Sequence, residues 1–196
     1  MINDVVATLE PVVEALEALG VRYRVGGSVA SSALGVPRST LDVDVACELR
    51  HEHVEGFVAR LVDAYYVDAD MIHDAISRSS SFNVIHLATM LKVDVFVRKP
   101  RPFEDESFER VTRRPLDGAP GARSFDLTTA EDIILHKLEW FRMGGGVSER
   151  QWKDVLGVLA VQGDAIDLVY LRRWALDLDV EDLLDRALAQ TTGAAG

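Results

Sequence analysis

The chain is poor in cysteine. Cys47 is the only one in 196 residues, so no internal disulfide can form, and its thiol reads as a small apolar side chain of the core. Positive charge is also short: 21 Lys and Arg stand against 32 Asp and Glu, a formal net charge of −11. That balance excludes a global basic footprint for gripping nucleic acid, so such a substrate would need a local patch. No apolar run approaches the roughly 20 residues that span a membrane, and Met1-Ile2-Asn3-Asp4 carries neither a basic region nor a long apolar segment. With no targeting signal and no membrane partner, the expected location is cytoplasmic. What is present is 48% apolar and 27% charged residues, the balance of a folded globular protein. The length suits one well-buried domain, or a compact domain with a smaller appendage.

The informative stretch runs from Tyr23 to Leu49. Tyr23-Arg24-Val25 leads into Gly26-Gly27-Ser28, and further on Leu41, Val43, Val45 and Cys47 alternate with Thr40, Asp42, Asp44 and Ala46. Strict alternation marks a strand whose successive side chains point to opposite faces, so Asp42 and Asp44 share one face. Two carboxylates that close repel each other, which raises a pKa or recruits a cation, and a hard divalent ion takes oxygen ligands. Glycines after a strand allow a tight turn and a close backbone approach to a ligand. Ser28 is placed to cap a helix whose free N–H groups attract phosphate. A phosphate cradle beside a carboxylate pair points to chemistry on a nucleoside triphosphate.

In this order and context, Gly26-Gly27-Ser28, Arg38-Ser39-Thr40 and Asp42-Val43-Asp44 resemble the signature of the DNA polymerase β-like nucleotidyltransferase superfamily. Within it, the chain is most similar to the bacterial branch of AbiEii/AbiGii-type toxin nucleotidyltransferases and their small relatives. The resemblance implies an α/β (α+β) fold: a small mixed sheet with covering helices, the palm-like domain, in residues 1–125, followed by a C-terminal helical subdomain in 126–196. It also implies transfer of an NMP from an NTP to a hydroxyl acceptor, with pyrophosphate released. Asp42 and Asp44 would hold two Mg²⁺ ions, with Mn²⁺ as the substitute, and Asp94 would complete one site or accept the acceptor's proton. Gly26, Gly27, Ser28 and Lys137 would hold the triphosphate.

Along the chain, apolar positions from Asn3 to Leu19 recur at helical spacing and end at Gly20, with Pro11 bending this helix or marking its true start. After Ser28 a short helix runs to Gly35-Val36-Pro37. Glu52 to Tyr65 reads as an amphipathic helix; His51 and His53 diverge on such a helix and mark its exposed start rather than a metal site. Phe82 to His86 and Leu91 to Val97 read as a hairpin around Ala88-Thr89, with Asp94 opposite the valines of its strand. If both valine faces pack under the same helices, Asp42, Asp44 and Asp94 emerge together. The stretch from Arg98 to Gly121, rich in proline and charge, reads as a loop with a short extended piece. It carries the basic trio Arg110, Arg113 and Arg114, where an acidic acceptor would be gripped. Thr128-Thr129-Ala130-Glu131 fits a capping box, opening a helix through Phe141 that Gly144-Gly145-Gly146 ends. Further helices are expected at about 149–161, 167–176 and 180–189.

Three candidates outside the motif have two readings each. Arg38 is a solvated loop arginine or a clamp on a phosphate. Lys137 falls in the inward stripe of Ala130, Ile133, Ile134, Leu138 and Phe141, so it either snorkels past the core edge or contacts phosphate; a lysine on the corresponding helix of the resembling family favours the second. Asp154 is a support residue of the site or the local helical partner of Arg150. The leading function is a metal-dependent nucleotidyltransferase, its acceptor a tRNA, a protein or a small molecule, and its role that of a toxin paired with a cognate antitoxin. The alternatives are a catalytically silent NTP-binding or interaction module and an antibiotic-modifying nucleotidyltransferase.

Overall fold

The structure is a computed structural model that describes residues 2–37, 42–117 and 121–193. The first helix, α1 (Ile2–Ala18), continues without a break through Pro11, which therefore does not mark its start. An interior proline costs about 3 kcal/mol. Val5, Leu9, Val12, Val13 and Leu16 are all buried on one face, and each such side chain contributes about 1.5–3 kcal/mol, so burial outweighs the lost hydrogen bond. Then come β1 (Tyr23–Val25), α2 (Gly27–Leu34), β2 (Asp42–Cys47), a 3₁₀ turn at His51–His53, α3 (Val54–Leu61), β3 (Tyr65–Tyr66), α4 (Ala69–Arg78), β4 (Ser81–His86) and β5 (Lys92–Val97). After them lie α5 (Pro102–Phe108), β6 (Val111–Pro115), β7 (Ser124–Thr128), α6 (Ala130–Met143), α7 (Glu149–Gln162), α8 (Leu168–Asp177) and α9 (Glu181–Gly193).

The seven strands form one mixed sheet in the order β3-β4-β5-β2-β1-β7-β6. β2 lies parallel to β5 and antiparallel to β1, while β4 and β5 form the expected antiparallel hairpin. One face of the sheet is apolar: Val25, Val43, Val45, Cys47, Val84, Val93 and Val95 are each 0% exposed. α1 packs against α3 and β5, α3 against α4, and α4 against β4. Phe57 of α3 meets Phe82 of β4 edge to face, ring centres 6.1 Å apart. The strand alternation therefore commits the remaining positions of β2 and β5 to the other face.

The stretch from 98 to 121 differs from the expected loop. It holds α5 and β6, with 118–120 outside the described residues. Proline suits the first turn of a helix, where its missing N–H has no partner to lose, and Pro102 opens α5 there while Phe103 and Phe108 are buried. Beneath α5, the buried Arg24 donates to Glu104 at 2.6 Å and stacks on the Phe108 ring, 4.3 Å from its centre. α4 was not expected either; Asp68 caps it, accepting from Met71 N at 3.0 Å. The capping residue of α6 is Thr129, not Thr128, with its hydroxyl accepting from Asp132 N. Thr128 is still in β7, so the helix starts one residue later.

By its own contacts the chain divides into two compact units, residues 1–29 with 39–127, and residues 30–38 with 128–196. The first holds the sheet and α1, α3, α4 and α5. The second holds α6 to α9 around Ile134, Leu138, Val155, Val158, Leu171 and Leu184, together with the C-terminal part of α2. That part is fastened by Gln162 of α7, whose amide donates to Leu34 O at 2.5 Å. Gly35 permits this approach: a Cβ there would stand 2.9 Å from Val158 Cγ2.

Candidate functional site

β2 and β5 run side by side in register, with Asp42 opposite Lys92, Val43 opposite Val93, and Asp44 opposite Asp94. The valines are buried, so the three aspartates and Lys92 lie together on the other face. Neighbouring strands are about 4.8 Å apart, and the Asp44 and Asp94 carboxylates therefore sit abreast. Asp42 is exposed, whereas Asp44 and Asp94 are half-buried. Asn83 of β4 lies opposite Asp94 on the far side.

Lys92 answers part of this charge. Its ammonium donates to Asp94 Oδ2 at 2.7 Å. That hydrogen bond holds the lysine above its ordinary pKa; burial works against it, and the charges of Asp94, Asp42 and Asp44 add to it. The sequence signal for Lys92 was its spacing: two positions before Asp94 on one strand is the same face.

The glycine turn lies against Asp44. Gly26 N donates to Asp44 O at 2.9 Å, which ties the exit of β1 to the middle of β2. Gly27 has φ +52°, and a Cβ on it would overlap the Asp44 carboxylate. Only glycine fits there, on both counts. α2 begins at Gly27, so Ser28 lies within its first turn instead of preceding it as the cap. Three of the amides at this end, those of Gly27, Ser28 and Val29, belong to the same unit as the aspartates.

The remaining candidates fall elsewhere. Arg38, with Ser39 and Thr40, lies outside the described residues. Lys137 of α6 and Asp154 of α7 meet within the helical unit: Lys137 Nζ donates to Asp154 Oδ2 at 2.8 Å, with side chains 10% and 7% exposed. The lysine of the inward stripe thus has a buried carboxylate as its partner rather than a snorkelling path to water. Arg113 and Arg114 are exposed on the edge strand β6, three strands from β2 in the sheet order. His51 stacks on His73 of α4, with their Nδ1 atoms 2.8 Å apart, while His53 Nδ1 accepts from Arg50 N at 3.1 Å. Cys47 is fully buried, and that burial pushes its thiol up to about 12, so it is a core residue and not a nucleophile.

The three aspartates expected to hold metal ions share one face of the sheet. Among the described residues, no three His, Cys, Asp or Glu side chains converge closely enough to hold a metal ion. Asp94 is drawn to Lys92. The donor chemistry fits a hard cation, because the face carries three carboxylates and carboxylate oxygens are hard ligands.

Neither a family model nor a curated protein matches the chain by sequence. Solved structures do match. The antibiotic-resistance factor ANT(2″)-Ia in solution aligns over 100% of this chain and 98% of its own, at 14% identity and a TM-score of 0.57. An antigenic nucleotidyltransferase-like protein from Paracoccidioides brasiliensis aligns over 96% of this chain and 92% of its own, at 16% identity and a TM-score of 0.56. ANT(2″)-Ia in complex with adenylyl-2″-tobramycin aligns over 86% of this chain and 94% of its own, at 14% identity and a TM-score of 0.54. Among the described residues no helix is long and apolar enough to cross a membrane. The chain has a mixed α/β fold of the kind found in nucleotidyltransferases.

Proposed function

We propose that the chain is a metal-dependent nucleotidyltransferase that moves an NMP from an NTP to a hydroxyl acceptor. The observation that carries this reading is the contact between the Gly26-Gly27 turn and Asp44, which in turn lies abreast of Asp94. A turn that offers backbone amides to phosphate and a carboxylate face that attracts a cation are thereby held within one unit.

In this reading Gly27 and Ser28 bind the β- and γ-phosphates through backbone N–H groups at the start of α2, while Gly26, whose N–H is given to Asp44 O, shapes the turn that presents them. Asp42, Asp44 and Asp94 are the residues that would hold Mg²⁺. When bound, divalent ions would polarise the phosphoryl group and favour the ionised acceptor. The acceptor oxygen attacks the α-phosphorus, the bond to the bridging oxygen breaks, and pyrophosphate leaves with the electron pair. Asp94, at the half-buried end of the row, takes the acceptor's proton. Arg38, Lys137 and Asp154 enter this reading on the resemblance alone.

The acceptor is read from charge. A chain of net charge −11 attracts a cationic small molecule and repels a polyanion, so an aminoglycoside-like acceptor is favoured over tRNA. A tRNA-directed toxin with a cognate antitoxin is the competing reading. Incubation with each α-labelled NTP and Mg²⁺, beside aminoglycosides, total tRNA and cell proteins, decides between them. Label is expected in the small-molecule pool; label in tRNA reverses the choice of acceptor. No label in any pool leaves the silent NTP-binding module.

A further inference from the structure

Lys92 has no part in the chemistry above, yet it shares the sheet face with the three aspartates. Its Cα is opposite that of Asp42, and Asp94 is two positions along the same strand. The four residues Asp42, Asp44, Lys92 and Asp94 therefore make the corners of a square on one sheet face, three negative and one positive. We propose that Lys92 is a tethered counter-cation: its ammonium group neutralises the aspartate face of the metal-free protein and must leave Asp94 before a divalent ion can take that carboxylate. The inference rests on the metal-dependent reading.

Two features of the geometry support exchange over permanent pairing. The Lys92 side chain is 40% exposed, so its released ammonium returns to water instead of being stranded in an apolar interior. Its four-carbon stem is flexible, and its charge is a point charge without the fixed fork that makes arginine pairs rigid. A divalent ion at Asp94 meets both a hydrogen bond to be broken and a like charge to be moved. Lys92 therefore weakens metal binding in the resting protein, while protecting the three carboxylates from mutual repulsion.

The test is Mn²⁺ binding by the full chain, followed by the loss of the free-ion electron paramagnetic resonance signal and by calorimetry. Removing the ammonium in Lys92→Met is expected to tighten Mn²⁺ binding about tenfold, and Lys92→Arg, which keeps the charge and adds the more rigid fork, to bind Mn²⁺ no more tightly than wild type. Lys92→Gln is the second neutral variant and should follow Lys92→Met. In EDTA the neutral variants should melt below wild type, and Mn²⁺ should raise their melting temperature more. Wild type and both neutral variants binding Mn²⁺ equally would overturn the role of Lys92 alone. No Mn²⁺ bound by any of them, with folding intact, would overturn the metal-dependent reading and this inference with it.

Discussion

Two lysine–aspartate pairs in this chain have nearly equal lengths and opposite settings. Lys92–Asp94 spans 2.7 Å on the sheet face, with side chains 40% and 22% exposed, whereas Lys137–Asp154 spans 2.8 Å between helices, with side chains 10% and 7% exposed. The first pair lies beside Asp42 and Asp44, where negative charge exceeds positive. The second is buried, where losing one partner leaves a charge without solvent. Burial decides what breaking a pair costs, and surplus charge decides what the pair can be exchanged for. A contact distance alone separates neither case.

The sharpest way to test the open face is Asp44→Asn, which removes a charge and almost no volume. Transfer is expected to fall by on the order of 10³-fold while the melting temperature in metal-free buffer changes little. Wild-type transfer by this variant would remove the aspartate face from the mechanism.

The buried pair should respond in the opposite sense. Lys137→Met leaves Asp154 buried and is expected to cost about 3–5 kcal/mol in urea unfolding, with most of it recovered in the Lys137→Met, Asp154→Leu double variant. The double variant also tests the second role of Lys137. If the lysine contacts phosphate, ATP affinity stays low after stability returns; if it is structural, ATP affinity returns as well.

Gly27→Ala probes the support of the open face. A positive φ and an overlap with Asp44 together predict a loss of about 1–3 kcal/mol, measured by thermal unfolding, with transfer reduced because Asp44 is displaced. An alanine variant with unchanged melting and transfer would break the link between turn and carboxylate.

The smallest stability effect is expected at Lys92→Met, about 0–1 kcal/mol for a pair this exposed, and weaker still in high salt. The pH dependence has a definite sign. A lysine whose pKa is raised on folding contributes fully below its ordinary value of 10.5 and loses that contribution as pH rises through the raised one. Thermal scans of wild type and Lys92→Met should therefore converge only at strongly alkaline pH.

The aspartate face was legible because a strand's alternation is local: burying Val43, Val45, Val93 and Val95 obliges Asp42, Asp44 and Asp94 to the other side. The hairpin and the long helices were legible for the same reason, since their periods are written in neighbouring residues. α5 was not, because the proline and charge that suggested a loop are also what a helix start tolerates, and the deciding fact is the burial of Phe103 and Phe108 against other elements. The shift of the α6 cap from Thr128 to Thr129 had a similar cause: β7 pairs with β1 through Leu127, and that pairing holds the strand one residue longer.

By itself, then, the order of residues determined which side chains share a strand face or a helix stripe, and with them the carboxylates available for chemistry, because those relations follow from backbone periods of two and 3.6 residues. Only the tertiary structure decided the partners. It set β2 beside β5 in the register that brings Asp44 to Asp94 and Lys92 to Asp42, pressed Gly27 against Asp44 and buried Lys137 against Asp154. Those relations join residues 17 to 50 positions apart, and packing between elements is the force that selects them.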